Sequence, residues 1–280
     1  MESPFVVVGM HRSGTSLVSR ILDQTGILMG QDLQTDHESK FFIGLNKWIY
    51  DNAGADWARP AALEELIDYE PARKQVEQYL RTRIASSASK KFSGHPLKNG
   101  LFDLDLKWGW KDPRNGPSLP IWKAIWPEMK VIHVIRHGVD VAASLHSRSV
   151  KNWADDEGRF KKWAPLYKWR ESNSPIRRGQ RAATLPHALE FWAEQMEIER
   201  KVIKTCKTVL EIRYEDLLTE PETILKKLWD FVDVKIDEEL LINIKEMVDY
   251  SRAYAYKHNS NLNEFAEKNQ KILEKFGYSA

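Results

Sequence analysis

The sequence predicts an α/β chain of three layers, a central parallel sheet flanked by helices, and three observations carry that prediction. The run Phe5–Val8 is short, apolar and β-branched, as suits a strand covered on both faces, and Lys130–Ile135 and Thr208–Ile212 read as further strands. Segments with apolar residues at helical spacing follow them, so strand and helix alternate. Glycines or basic residues punctuate the strand ends, the edge at which an open parallel sheet collects its ligands.

Taken in order, Phe5-Val6-Val7-Val8 runs into Gly9 and Gly14, and from Thr15 the residues Leu17, Val18, Ile21 and Leu22 form the apolar face of a helix stopped at Gly26. Phe41, Phe42, Leu45, Trp48 and Ile49 predict a second helix running toward Gly54, and Pro71 suits the first turn of a third. The Ser-, Lys- and Gly-rich stretch Ser86 to Gly100 reads as a surface loop. Leu106–Trp110 and Lys130–Ile135 read as strands leading into Lys111-Asp112-Pro113-Arg114 and into Arg136. From about 149 to 185 a basic segment interrupts the alternation as an insertion, after which Pro186 opens a helix toward Cys206. The strand Thr208–Ile212, a helix from Pro221 through Leu225, Leu228 and Val232, and a helical remainder complete one domain spanning 1–280.

Composition sets broad bounds. A chain of 280 residues with 42% hydrophobic and 29% charged residues can bury a sizeable core. The net charge of +2 argues for neither nucleic acid nor a membrane surface as partner. The single cysteine, Cys206, excludes an intramolecular disulfide framework and reads as a small buried hydrophobe. Only four residues precede the first strand, and no apolar stretch approaches the roughly 18–20 residues that span a bilayer, so the expected location is cytoplasmic.

Gly9-Met10-His11-Arg12-Ser13-Gly14-Thr15-Ser16 has the glycine spacing of a phosphate-binding loop between a strand and a helix, where backbone amides and a helix N-terminus face an anion. Thr15 stands where a Walker loop requires its lysine, and Arg12 supplies a cation earlier in the loop, which disfavours Mg-ATP. Arg136 ends a later strand where many nucleoside triphosphatases present a magnesium-binding aspartate, and a cation there implies a second anion. Ser144 follows about two helical turns on and adds a hydroxyl to the arginine fork. Two phosphate sites without evident metal ligands fit a nucleotide phosphorylated at both its 5′ and 3′ ends. A kinase using ATP, or a catalytically silent nucleotide-binding protein, is the competing reading.

Gly9 to Leu17 resembles the 5′-phosphosulfate loop of sulfotransferases, Val131 to Leu145 resembles their 3′-phosphate motif, and Arg213-Tyr214-Glu215-Asp216-Leu217-Leu218 before Pro221 looks like their following strand-to-helix segment. The resemblance implies a P-loop-like fold, 3′-phosphoadenosine 5′-phosphosulfate (PAPS) as donor, adenosine 3′,5′-bisphosphate as product, a hydroxylated acceptor and no required metal. Arg12 replaces the lysine typical of cytosolic members, so the likeness leans toward the carbohydrate and tyrosylprotein branches and toward a carbohydrate or glycoconjugate acceptor.

By the same resemblance, Arg12, Ser13, Gly14, Thr15, Ser16, Arg136, Ser144 and Tyr214 bind the donor, with Lys257 closing over the nucleotide, although the Arg-Lys-Gly loop of the cytosolic enzymes has no clear match here. Arg12 and Lys111 are the expected catalytic cations, since similar Lys-Asp-Pro segments place the lysine on the transferring group. Glu38, in Asp36-His37-Glu38-Ser39, is the expected base, and His37 is its competitor. His133, inside a strand, reads as a packed core residue, and Asp112 as structural. In the insertion, Arg159, Lys161, Lys162, Lys168, Arg170, Arg177, Arg178 and Arg181 alternate with Trp153, Trp163 and Trp169. That mixture suits a lid over an anionic or sugar-bearing acceptor, the alternative being a solvated charged face with its tryptophans in the core.

Overall fold

The computed structural model describes residues 2–169, 179–235 and 238–280. Its elements are β1 (Phe5–Val8), α1 (Thr15–Gln24), α2 (Lys40–Asn52), α3 (Leu63–Asp68), α4 (Glu70–Ala85), α5 (Lys90–Ser93), β2 (Gly109–Lys111), α6 (Asn115–Ile125), β3 (Lys130–Ile135), α7 (Gly138–Trp163), α8 (Leu185–Ile203), β4 (Thr208–Arg213), α9 (Tyr214–Thr219), α10 (Pro221–Val232), α11 (Glu238–Glu246), α12 (Ser260–Lys268) and α13 (Gln270–Lys275). The chain divides into two compact units, Met1–Arg136 with Gln195–Ala255, and His137–Glu194 with Tyr256–Ala280.

The first unit holds the sheet, four parallel strands in the order β2-β1-β3-β4. Successive side chains of β1 point to opposite faces, and both faces are covered. Val6 and Val8 enter a core with Phe42, Leu45 and Ile49 of α2, Leu80 and Ile84 of α4, and Leu119 and Trp122 of α6. Phe5 and Val7 enter another with Val18, Ile21 and Leu22 of α1, Leu225 and Leu228 of α10, and Ile244 of α11. This is the three-layer arrangement expected from continuous apolar strands. The first core is dense in aromatic rings: Phe42 stacks on Trp110 at 4.2 Å between centroids and meets Trp122 edge-on at 5.7 Å.

In the first unit two segments differ from the sequence reading. Ser86 to Gly100 is a chain of short helical turns: Ser86 Oγ accepts from the Ala88 amide, and the fully buried Phe92 anchors α5. Turns this short show no periodicity for a sequence reading to find. Strand β2 is shorter than predicted and displaced toward Lys111, because pairing with β1 begins at Gly109, while Leu106 is 39% exposed. Cys206 is half-buried, with its thiol raised by burial.

In the second unit His137 stacks on Tyr256 at 4.3 Å, Trp192 meets Phe276 edge-on at 4.9 Å, and Asp140 accepts from the Tyr256 amide at 2.8 Å. The segment expected to interrupt the fold from 149 is instead the continuation of α7 as far as Trp163. Its tryptophans do not enter the core: Trp153, Trp163 and Trp169 are 40%, 45% and 89% exposed. Arg170, Arg177 and Arg178 lie outside the described residues. Among the described residues no helix is long and apolar enough to cross a membrane.

His133 faces the first core from β3, where Nε2 meets Glu199 Oε2 at 3.2 Å and Nδ1 meets Glu211 Oε2 at 3.1 Å. Burial opposes the imidazolium, but the two glutamates outweigh it and its pKa is pushed up to about 9. A histidine raised above its unfolded value stabilises the fold fully below pH 6.5, and that contribution is lost as pH rises through about 9. Urea unfolding should therefore show stability falling across this window, with a shallower fall in Glu199→Gln. A midpoint constant across the window would contradict the assignment.

Candidate functional site

The phosphate-like loop lies between β1 and α1, at the carboxyl edge of the sheet. Gly9 has φ +150°, and a Cβ there would stand 2.4 Å from the Val134 carbonyl and 2.8 Å from Ser13 Oγ, so only glycine lets the chain leave β1 so close to β3. Arg12 takes a left-handed conformation, φ 73°, and its side chain is exposed. Ser13 is buried, and its hydroxyl has no hydrogen-bond partner among the described residues. Gly14 caps α1, whose opening amides at Thr15 and Ser16 have no carbonyl of a preceding turn to bond. An unpartnered buried hydroxyl, a helix N-terminus and an exposed guanidinium in one loop fit an anionic phosphate ester.

Arg136, immediately after β3, reaches the same loop. Its Nη1 donates to the Arg12 carbonyl at 3.3 Å and its Nη2 to the Arg252 carbonyl at 3.0 Å, and its guanidinium lies 4.6 Å from the centroid of the Tyr214 ring. Tyr214 is buried and packs directly on the loop, since a Cβ on Gly14 would fall 2.1 Å from its Cδ2. The two motifs recognised separately in the sequence are thus joined through one aromatic ring.

Lys111, the last residue of β2, brings a third cation to the loop. Its side chain is 1% exposed, donating to Ser16 Oγ at 3.1 Å and to Glu38 Oε1 at 2.9 Å. Glu38 is carried by a turn in which the Gln34 amide donates to the Glu38 carbonyl at 2.9 Å, and Ser39 then caps α2. Burial, the largest influence, holds the Glu38 carboxyl above the ordinary glutamate range, although Lys111 pulls it down. His37 turns away: its ring meets Ser19 Oγ at 3.5 Å and Asp23 at 3.7 Å, and burial lowers its basicity. The Glu38 carboxyl, not the His37 ring, shares a hydrogen bond with Lys111.

Asp112 is fully buried and accepts from the Arg114 amide, Nε and Nη2, each at 2.9 Å, so the Lys-Asp-Pro-Arg turn is closed by its own ion pair. Ser144, on α7, and Lys257 belong to the second unit, where Lys257 is exposed with its ammonium 5.8 Å from the Tyr256 ring centroid. Sequence reasoning missed Trp57, whose ring meets His11 edge-on at 5.0 Å beside Arg12, and Asn46 behind Lys111. The signal for Asn46 was available: it is a lone amide on the apolar stripe Phe42, Leu45, Ile49.

The Gly14–Tyr214 contact yields a test. Gly14→Ala should destabilise the protein by about 1–3 kcal/mol through overpacking and left-handed backbone strain. Adding Tyr214→Ala should recover part of that loss, so that the double variant unfolds at higher denaturant than the sum of the single effects. Strict additivity would mean that ring and loop do not touch.

Comparisons with known proteins bear on the fold and the family. Two solved structures cover the full chain. A sulfotransferase domain from the curacin biosynthetic pathway is 18% identical, with 100% of this chain and 99% of that one aligned at a TM-score of 0.52. The sulfotransferase domain of the Synechococcus PCC 7002 olefin synthase is 16% identical, with 100% and 97% aligned at 0.52. At such identities they speak for the fold. No curated protein gives a significant match. The family model described as "Sulfotransferase family" matches residues 4–238, most of the chain and every element of the loop, strand-end and lysine cluster, and the chain belongs to that family.

Proposed function

We propose that this enzyme transfers the sulfuryl group of PAPS to a hydroxyl acceptor by in-line displacement. The observation that carries the reading is the convergence of Arg12, Lys111 and Arg136 on one loop, with Glu38 hydrogen-bonded to Lys111. PAPS supplies an activated sulfuryl group whose bridging bond to the 5′-phosphate breaks as the acceptor oxygen bonds to sulfur. Arg12 and Lys111 stabilise the charge that builds on the sulfuryl oxygens and the departing phosphate. Ser13, Gly14, Thr15 and Ser16 hold the 5′-phosphate, while Arg136 and Ser144 hold the 3′-phosphate, with Tyr214 and Lys257 completing the nucleotide site. Glu38 accepts the acceptor's proton, and a carboxyl raised by burial is suited to that task near neutral pH. The adenosine 3′,5′-bisphosphate product then leaves with both phosphates.

The acceptor we favour is a carbohydrate or glycoconjugate hydroxyl, with a tyrosine or a small hydroxylated metabolite behind it. Support comes from Arg12 at the loop position and from the exposed Trp153, Trp163 and Trp169 with Lys161 and Lys162 nearby, a surface suited to sugar stacking and anionic groups.

Donor chemistry is tested first. Adenosine 3′,5′-bisphosphate should raise the melting temperature without magnesium while ATP does not, and the reverse would favour a kinase. With radiolabelled PAPS and a panel of sugars, phenols and tyrosine peptides, Arg12→Ala should lower turnover roughly 10²–10³-fold, by analogy with loss of an oxyanion-hole donor. Arg136→Ala should chiefly weaken donor affinity. Wild-type kinetics in both would remove the site assignment.

The pH profile tests Glu38. Turnover requires the carboxylate, so the acid limb of kcat should lie above 4.5, the ordinary glutamate value, and activity should fall as pH drops through it. Glu38→Gln should abolish that limb along with about 10²–10⁴-fold of the rate. An unchanged limb in Glu38→Gln would return the role of base to another group.

A further inference from the structure

We propose that Asn46, buried in α2, is a positioning residue for sulfuryl transfer, setting Lys111 against the phosphate loop. This rests on the reading of Lys111 given above. Asn46 is fully buried, and its side-chain amide uses its whole hydrogen-bonding capacity. Nδ2 donates to Asp112 Oδ2 at 3.0 Å and to Asn115 Oδ1 at 2.9 Å. Oδ1 accepts from Ser118 Oγ at 3.0 Å and from Trp122 Nε1 at 2.9 Å.

Each partner leads to the site. Asp112 follows Lys111 in the chain and is the fixed end of the turn that carries it. Asn115 Oδ1 also accepts from Trp110 Nε1 at 2.9 Å, on the residue preceding Lys111, and its Nδ2 donates to the Val7 carbonyl at 3.0 Å. Val7 lies in β1, two residues before Gly9 opens the phosphate loop. Asn46 itself sits on the helix that Ser39 caps and Glu38 precedes. One amide therefore ties together the three elements that deliver Glu38, Lys111 and the loop of Arg12.

Geometry of this kind is felt in the chemical step, where displacement by about 1 Å can cost about 10²-fold in rate. Leucine shares asparagine's branch at Cγ, is bulkier and makes none of the four bonds, so Asn46→Leu releases the Asp112 turn. Solvent is not needed to explain the connection, since every contact is direct and interior.

The experiment is a double-mutant cycle on the 280-residue chain, with Asn46→Leu, Lys111→Ala and the pair. It reads release of labelled sulfate from PAPS to water in single turnovers with enzyme in excess, and adenosine 3′,5′-bisphosphate affinity by calorimetry. Asn46→Leu is expected to lower the single-turnover rate about 10–100-fold while changing bisphosphate affinity less than about threefold. In the Lys111→Ala background the same substitution should slow the reaction little further, because the residue it positions is gone. A carboxyl-carbon NMR titration should show the Glu38 midpoint moving up in Asn46→Leu as the Lys111 pairing loosens. Ser118→Ala, which removes one donor to Asn46, should shift rate and titration in the same directions by less, and it decides the matter should Asn46→Leu not fold. An equal slowing by Asn46→Leu with and without Lys111 overturns the proposal, as does an unmoved Glu38 titration. Wild-type turnover in Lys111→Ala instead overturns the reading of Lys111, and the proposal with it.

Discussion

A lysine ammonium with 1% of its side chain exposed governs the design of the sheet edge. Removing a partner from a buried ion pair typically costs about 3–5 kcal/mol, so Lys111 must keep its hydrogen bonds in the free enzyme. Glu38 supplies charge and Ser16 a neutral oxygen, and each comes from a different element. The turn at 34–38, the start of α1 and the end of β2 are therefore coupled, and a change in any one exposes the ammonium or strands it. The buried cation thereby acquires a nearby carboxylate whose burial raises its proton affinity.

Around that pair the remaining parts are held by backbone as much as by side chains. Arg136 spends hydrogen bonds on the carbonyls of Arg12 and Arg252, which fixes the guanidinium and ties the end of β3 to the glycine loop after β1. Tyr214 packs one way on Gly14 and another on Arg136, making the glycine at 14 a steric requirement as well as a conformational one. Parallel pairing of β1 with both β2 and β3 brings the chain after each strand to one edge, so that residues more than a hundred positions apart in the chain become neighbours.

The second unit follows a different logic. Its interior is assembled from rings, His137 on Tyr256 and Trp192 on Phe276, whereas the far end of α7 turns large aromatic side chains outward. Continuous helix through Trp163 accounts for that exposure: a helix of 26 residues carries its side chains all round, and a segment read as an interruption becomes one more stretch of the same cylinder. Basic residues and tryptophans there share a surface instead of dividing it from a core.

Much of this was legible in the amino-acid sequence by itself, and for a physical reason. Apolar runs, helical periodicity, the two glycines of the loop and an arginine after a strand are local signals, and they marked α1, α2, β3, β4 and α10 along with the loop and strand-end candidates. Tertiary structure alone decided what required distance in the chain to vanish. It set Glu38 against Lys111 and turned His37 toward α1, laid Tyr214 on Gly14, and buried Asn46 where its amide meets Asp112 and Asn115. Hydrogen-bond partners of that kind leave no periodicity behind, because they depend on which strands pair and in what register, and that is settled only when the sheet closes over its two cores.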